Sequence, residues 1–231
     1  MPQPLAFARP GGGQLSAVLD AGTDVFATVV LAHGAGAGMH HPFMAALAAA
    51  LAANGAATLR FQFPFAEDGR KRVDPPAVAH EAWRAALAAA EQQFPGRPLF
   101  AAGKSFGGRM ATQLQASRPW PGLRGLVLLG FPLHPAGQPA TARADHLVQV
   151  DVPMLFLQGT RDALAELSLL RPVLQRLPLA QLHEIAGADH GFHVPARTGR
   201  RDADVIGELA QVATAWMRAR LGGPAATMGS S

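Results

Sequence analysis

Residues 98–110 read Pro98-Leu-Phe-Ala-Ala-Gly103-Lys-Ser105-Phe-Gly107-Gly-Arg-Met110, and the order of residue types in this stretch decides the fold class. Leu99 to Ala102 form a short apolar run without alternation, the pattern of a strand covered on both faces. Met110 and Leu114 then share one face of a helical pattern. Between the two lies Gly103-x-Ser105-x-Gly107. A serine on so tight a strand-to-helix turn is forced outward, and glycines two positions to either side remove the Cβ atoms that would clash in the bend. The helix that follows brings a partial positive charge and free N–H groups close to the hydroxyl. Such a spacing arises readily by chance in a chain with 25 glycines, and a plain turn with a capping serine is the competing reading. The partners of Ser105 decide between them.

Similar strand-and-helix units extend in both directions. Val25–Ala32, Ala57–Phe61, Leu126–Leu129 and Met154–Leu157 are further short apolar runs, a weaker strand is expected at Gln181–Ile185, and Gln14–Leu19 is a candidate edge strand. Helical spacing recurs between them at Phe43, Leu47 and Leu51, at Trp83, Leu87, Ala90 and Phe94, and at Val205, Leu209, Val212 and Trp216. Strands alternating with helices predict an open, mostly parallel α/β sheet flanked by helices. Pro64 to Pro76 is polar and proline-bounded, which marks an excursion loop rather than a domain boundary. Residues 1–222 are therefore read as one domain, and residues 223–231, after Gly222-Gly223-Pro224, as a flexible tail or cloning remnant.

Composition narrows the function. With 49% hydrophobic residues and a net charge of +4, the chain can bury enough apolar surface to offset its ordering entropy. The pI of 10.9 suggests nucleic acid, yet only Lys71 and Lys104 are lysines, and no tyrosine or cysteine titrates on the alkaline side. The high pI thus follows from composition, and Arg70-Lys71-Arg72 is the one tight basic cluster, so nucleic-acid binding is not expected. The longest weakly polar stretch, Phe43 to Ala53, falls short of the ~20 residues that span a bilayer, and the N-terminal residues lack a secretory pattern. The expectation is a cytoplasmic protein without membrane contact. Zero cysteine excludes disulfides, thiolate nucleophiles and cysteine metal sites.

A serine hydroxyl needs a base, and the base needs an orienting carboxylate. Where this kind of turn carries chemistry, the chain order is serine, acid, histidine. Asp162, in Leu157-Gln-Gly-Thr-Arg-Asp162, follows the Met154–Leu157 strand, and His190, in Gly187-Ala-Asp-His190-Gly, follows the last predicted strand. Taken singly, Asp162 reads as a helix N-cap and His190 as a solvated loop histidine, one of nine. Their order, and their places beyond strand ends where α/β folds bind ligands, raise both to candidates. His33-Gly-Ala35-Gly-Ala-Gly38 also follows a strand. Its small residues let backbone approach a substrate, so the N–H of Ala35 can join that of Phe106 in holding a tetrahedral oxyanion. His33 itself reads as a scaffold residue bonded within this loop.

Two rival motifs fail. A phosphate-binding loop ending in Gly103-Lys104-Ser105 needs glycine at position 98, which is Pro98. His40, His41, Asp189, His190 and His193 show no recognised metal-ligand spacing, so neither a metal nor a cofactor is expected.

With these residues in hand, the chain resembles the α/β-hydrolase superfamily over essentially its whole length. The segments His33–Gly38, Leu59-Arg-Phe-Gln-Phe-Pro64, Gly103–Arg109, Phe131-Pro-Leu-His-Pro135 and Leu157–Asp162 look like a small subgroup related to dienelactone hydrolases and testis-expressed hydrolase-like proteins. The resemblance implies a sheet of about eight strands, with Ser105 as nucleophile, His190 as base and Asp162 as its orienter. The expected function is a serine hydrolase that cleaves a small-molecule ester or thioester, with a non-catalytic interaction module on the same fold left open by the resemblance. Oligomeric state and substrate are not implied. Lys104, where many relatives carry histidine, tyrosine or glutamine, is expected to pair with a structural acid such as Glu81, since an unpaired buried cation is costly. The connection from Leu129 to Met154 is too short for a large helical cap, so the cleft is expected to be shallow. His134 and the Pro132–Pro139 loop are candidates for lining it.

Overall fold

A computed structural model describes residues 2–222; the expected tail, residues 223–231, lies outside the described residues. Eight strands form one sheet: β1 (Gln3–Ala8), β2 (Gln14–Asp20), β3 (Ala27–Ala32), β4 (Ala56–Phe61), β5 (Leu99–Lys104), β6 (Leu123–Leu129), β7 (Met154–Gly159) and β8 (Ala180–Ile185). Their spatial order is β1-β2-β4-β3-β5-β6-β7-β8. The pairs β1–β2 and β2–β4 are antiparallel, and every other pair is parallel.

Continuous apolar runs resolve into two faces once the pleat is imposed. Val30, Ala101, Leu128 and Phe156 point to one side, where they meet α3 (Pro76–Gln93), α4 (Phe106–Ser117) and α5 (Leu167–Leu174). Val29, Phe100, Val127 and Leu157 point to the other, against α1 (Pro42–Ala53) and α6 (Asp202–Ala219). Each central strand is thereby buried twice, which is why its sequence shows no alternation.

Gln14–Asp20 is not at the edge as expected, because Gln3–Ala8 pairs outside it along its whole length. That outer strand contains Leu5-Ala-Phe-Ala8, a run as apolar as Leu99–Ala102, but it is not among the strands expected from the sequence. It is a half-covered edge whose Leu5 and Phe7 alone pack on the core, and its register comes from backbone pairing with β2. The Pro64–Pro76 excursion begins with a short helix, α2 (Pro64–Glu67). Between β6 and β7 the connection carries a 3-10 helix, Ala142–Gln149, and no large cap.

Trp83 ties this architecture to the serine turn. Fully buried on α3, its ring meets the edge of Phe61 at 5.2 Å, and its Nε1–H donates to the Gly107 carbonyl at 3.2 Å. Replacing it removes the largest buried side chain and a hydrogen bond to the first turn of α4. Trp83→Ala is predicted to cost about 3–5 kcal/mol in urea unfolding.

Candidate functional site

The β5–α4 turn sets Ser105 at φ 49° and ψ −112°, a conformation few non-glycine residues adopt. Three glycines make the bend possible. A Cβ on Gly103 would lie 2.5 Å from Gly107 C, one on Gly107 2.7 Å from His33 O, and one on Gly108 2.7 Å from Gly103 O. The Ser105 N–H donates to Leu129 O at 2.9 Å, which fastens the turn to the end of β6.

Asp162 follows β7, and His190 sits in the loop after β8. A Cβ on Gly159 would overlap the Ala188 carbonyl, so only glycine lets the end of β7 approach the His190 loop this closely. The structure brings the three distant side chains together. His190 Nε2 lies 2.8 Å from Ser105 Oγ, and His190 Nδ1 lies 2.7 Å from Asp162 Oδ2. The Asp162 carboxylate is 0% exposed, and the imidazole 26%. A carboxylate only accepts hydrogen bonds, so Nδ1 donates to it and Nε2 is left to accept from the serine hydroxyl.

Asp162 is held on all sides. Its Oδ1 accepts from the Leu164 N–H at 2.8 Å, a local bond of the capping kind, while Oδ2 also accepts from Gln158 Nε2 at 2.6 Å. Sequence reasoning missed Gln158. It is fully buried, and its Oε1 accepts from the Phe131 N–H at 2.9 Å, so it links the segment after β6 to the acid. The signal was a glutamine directly following an apolar strand, where a buried amide must find partners for both its ends.

His33 is placed as a scaffold residue. Its Nδ1 lies 2.8 Å from Gly34 O, its Nε2 accepts from the Phe63 N–H at 3.1 Å, and the edges of Phe63 and Phe65 enclose it. Burial drives its pKa down to about 4. The glycine loop it braces is also held at Met39, whose N–H donates to Gln62 Oε1 at 2.8 Å and whose carbonyl accepts from Arg60 at 2.8 Å. Arg60 is in turn paired with the buried Asp20 at 2.9 Å.

Ser105 and His190 open onto a cleft of about 330 Å³, with Ala35 and Ala37 on one wall and Phe43, Met44 and Leu164 among its apolar lining. Phe106 is the first residue of α4, so its N–H has no partner within the helix. The Lys104–Glu81 pairing expected from the sequence is not formed. Glu81 pairs with Arg118 at 2.8 Å, whereas the Lys104 ammonium donates to the His190 carbonyl at 2.5 Å. The strand end aims Lys104 toward the cleft and away from α3. His134 does not line the cleft either; it is fully buried, with Nδ1 2.9 Å from Pro135 O.

Among the described residues no three His, Cys, Asp or Glu side chains are grouped to hold a metal. The histidine and acid that sequence set beside His190 are otherwise engaged: His193 Nδ1 is 2.7 Å from Asp202, and Asp189 Oδ1 accepts from the Gly191 and His193 N–H groups. No helix among the described residues is long and apolar enough to cross a membrane.

Residues 25–218 match the family model of the alpha/beta hydrolase domain. The chain belongs to the alpha/beta hydrolase family. Solved structures of similar fold include a dienelactone hydrolase from Anabaena variabilis, at a TM-score of 0.76 and 21% identity, covering 95% of this chain and 97% of that one. The esterase domain of a Rhodothermus marinus protein is similar at a TM-score of 0.73 and 19% identity, covering 96% of this chain and all of that domain. An α/β serine hydrolase without a lid from Xanthomonas campestris is similar at 0.71 and 23% identity, covering 93% and 94%. These likenesses establish the alpha/beta hydrolase fold.

In this alpha/beta hydrolase, His33 links the cleft wall to pH. Its folded pKa of about 4 lies below the ordinary value of 6.5, so the unfolded chain binds a proton more tightly. The stabilisation is complete above pH 6.5 and is lost as pH falls toward 4, a window worth up to about 3 kcal/mol. Urea midpoints measured from pH 7 to pH 4 are predicted to fall less steeply in His33→Asn than in wild type.

Proposed function

We propose that this chain is a serine hydrolase that cleaves a small-molecule ester or thioester through an acyl-enzyme on Ser105. The observation that carries the reading is the unbroken run of hydrogen bonds from Ser105 Oγ through His190 to Asp162. In this reading Ser105 Oγ attacks the carbonyl carbon while His190 Nε2 takes the hydroxyl proton. The carbonyl oxygen becomes an oxyanion, held by the N–H groups of Ala35 and Phe106. The tetrahedral intermediate collapses, and His190 gives its proton to the departing alcohol or thiol. Water then attacks the acyl-enzyme with His190 again as base, releasing the acid and restoring the serine. Asp162 holds the imidazole in the tautomer that presents Nε2 and stabilises the imidazolium that forms in each half-reaction.

The absence of a bulky cap and the apolar lining at Phe43, Met44 and Leu164 favour a short apolar acyl group. A shallow, open cleft suits small or extended polar substrates over long acyl chains; the lining keeps the small size and changes the polarity.

Two measurements test the reading. Ser105→Ala is predicted to lower kcat/KM for p-nitrophenyl acetate by at least about 10³-fold, and Asp162→Asn, which leaves the imidazole in the wrong tautomer, by about 10³–10⁴-fold. Hydrolysis by Ser105→Ala within tenfold of wild type contradicts it. Across p-nitrophenyl esters, kcat/KM should be highest between acetyl and butyryl and lowest for palmitoyl; a steady rise to palmitoyl contradicts the proposed acyl preference.

A further inference from the structure

Lys104 has no step in the chemistry proposed above, although it is the immediate neighbour of Ser105. No carboxylate of the described residues lies within salt-bridge distance of its ammonium. A cation kept in a cleft without an ion pair costs stability, so its contacts should show what it does there. Both of them are to the loop that carries His190: the ammonium donates to the His190 carbonyl at 2.5 Å and lies 5.3 Å from the centroid of the Phe192 ring.

That loop needs holding. Phe192 is at φ 66°, one of two non-glycine residues with positive φ among the described residues, the other being Ser105. A backbone in this region relaxes unless its surroundings fix it.

The ammonium also has a defined place relative to the imidazole. A Cβ built on Gly130 would lie 3.3 Å from Lys104 Nζ, 3.4 Å from Asp162 Oδ2 and 3.5 Å from His190 Nδ1. All three groups thus lie within 3.5 Å of one point beside Gly130. The serine meets the other ring nitrogen, Nε2. Lys104 also lines the cleft, but both contacts of its ammonium are to the loop of the base, which suits an action on His190.

We propose that Lys104 is a positioning residue whose ammonium clamps the His190 carbonyl and so sets the imidazole against Ser105. The proposal rests on the Ser105–His190 reading given above. A hydrogen bond from an ammonium is about twice as strong as one from a neutral donor, and a base displaced by about 1 Å can cost 10²-fold in rate.

Burial lowers the Lys104 pKa to about 8, against the opposing pull of Asp162 and Asp189. Around it, Asp162 comes from the loop after β7, Asp189 and His190 from the loop after β8, and His41 stands on the cleft wall; the end of β6 offers only Gly130. Below pH about 8 the clamp is charged, and above it a neutral amine holds the same carbonyl more weakly. The rate should therefore decline on the alkaline side.

The test is kcat and KM for p-nitrophenyl acetate from pH 6 to 10 in wild type and Lys104→Met, with Ser105→Ala as reference. Wild-type kcat is expected to fall several-fold above pH 8 with KM changed less than twofold. Lys104→Met is expected to lose at least tenfold in kcat at pH 7 and to show no alkaline decline. A lysine serving only the fold would change stability and leave both readouts alone. Lys104→Met within twofold of wild-type kcat, or retaining the same alkaline decline, overturns the proposal. If circular dichroism shows Lys104→Met unfolded, the wild-type profile decides, and a kcat that holds level to pH 10 overturns it. Undiminished hydrolysis by Ser105→Ala would instead overturn the reading on which the proposal rests.

Discussion

The turn between β5 and α4 holds Ser105 at positive φ, and the rest of the site is arranged around that constraint. A non-glycine residue in such a conformation costs of order 1–3 kcal/mol and persists only where its surroundings leave no alternative. Here the surroundings are close. Gly103, Gly107 and Gly108 let strand and helix approach until backbone meets backbone, Leu129 O accepts the serine N–H, and Trp83 grips the Gly107 carbonyl from the core. Packing of α3 against the sheet is thereby linked to the direction of one hydroxyl.

A second pair of constraints brings the partners to the hydroxyl. Gly159 allows the end of β7 to touch the His190 loop at Ala188, and Gln158 joins Phe131 to Asp162. The acid is then fixed by three donors, Gln158, Leu164 and His190, before any substrate arrives. Such preorganisation matters because a group that must first move into place gives back part of what its charge contributes. Lys104 extends the same logic to the backbone of the base.

Much of this was legible in the sequence because buried parallel strands announce themselves. Met154–Leu157 was read as a strand and forms the first four residues of Met154–Gly159, and Ser105, Asp162 and His190 stand at the strand ends where their spacing put them. What stayed hidden depended on direction rather than type. Leu5–Ala8 is as apolar as Leu99–Ala102, but a glycine-rich segment follows it in place of a helical pattern, and its place at the edge comes from backbone pairing with β2. Glu81 and Lys104 are opposite charges that a linear reading can pair, yet one lies on α3 beside Arg118 and the other turns into the cleft. Gln158 stands four residues before Asp162, yet its role does not show in the sequence, because hydrogen bonds across the sheet connect residues that no local pattern relates.

If Ser105 is the nucleophile, the geometry at the rim of the sheet makes this one serine hydroxyl reactive in the native protein. Incubation with a fluorophosphonate, followed by peptide mass spectrometry, tests it most directly. A single phosphonate adduct is predicted, on Ser105, formed in the native protein and not after unfolding in urea. No adduct on Ser105 in the native protein, or an adduct on another residue in its place, would contradict it.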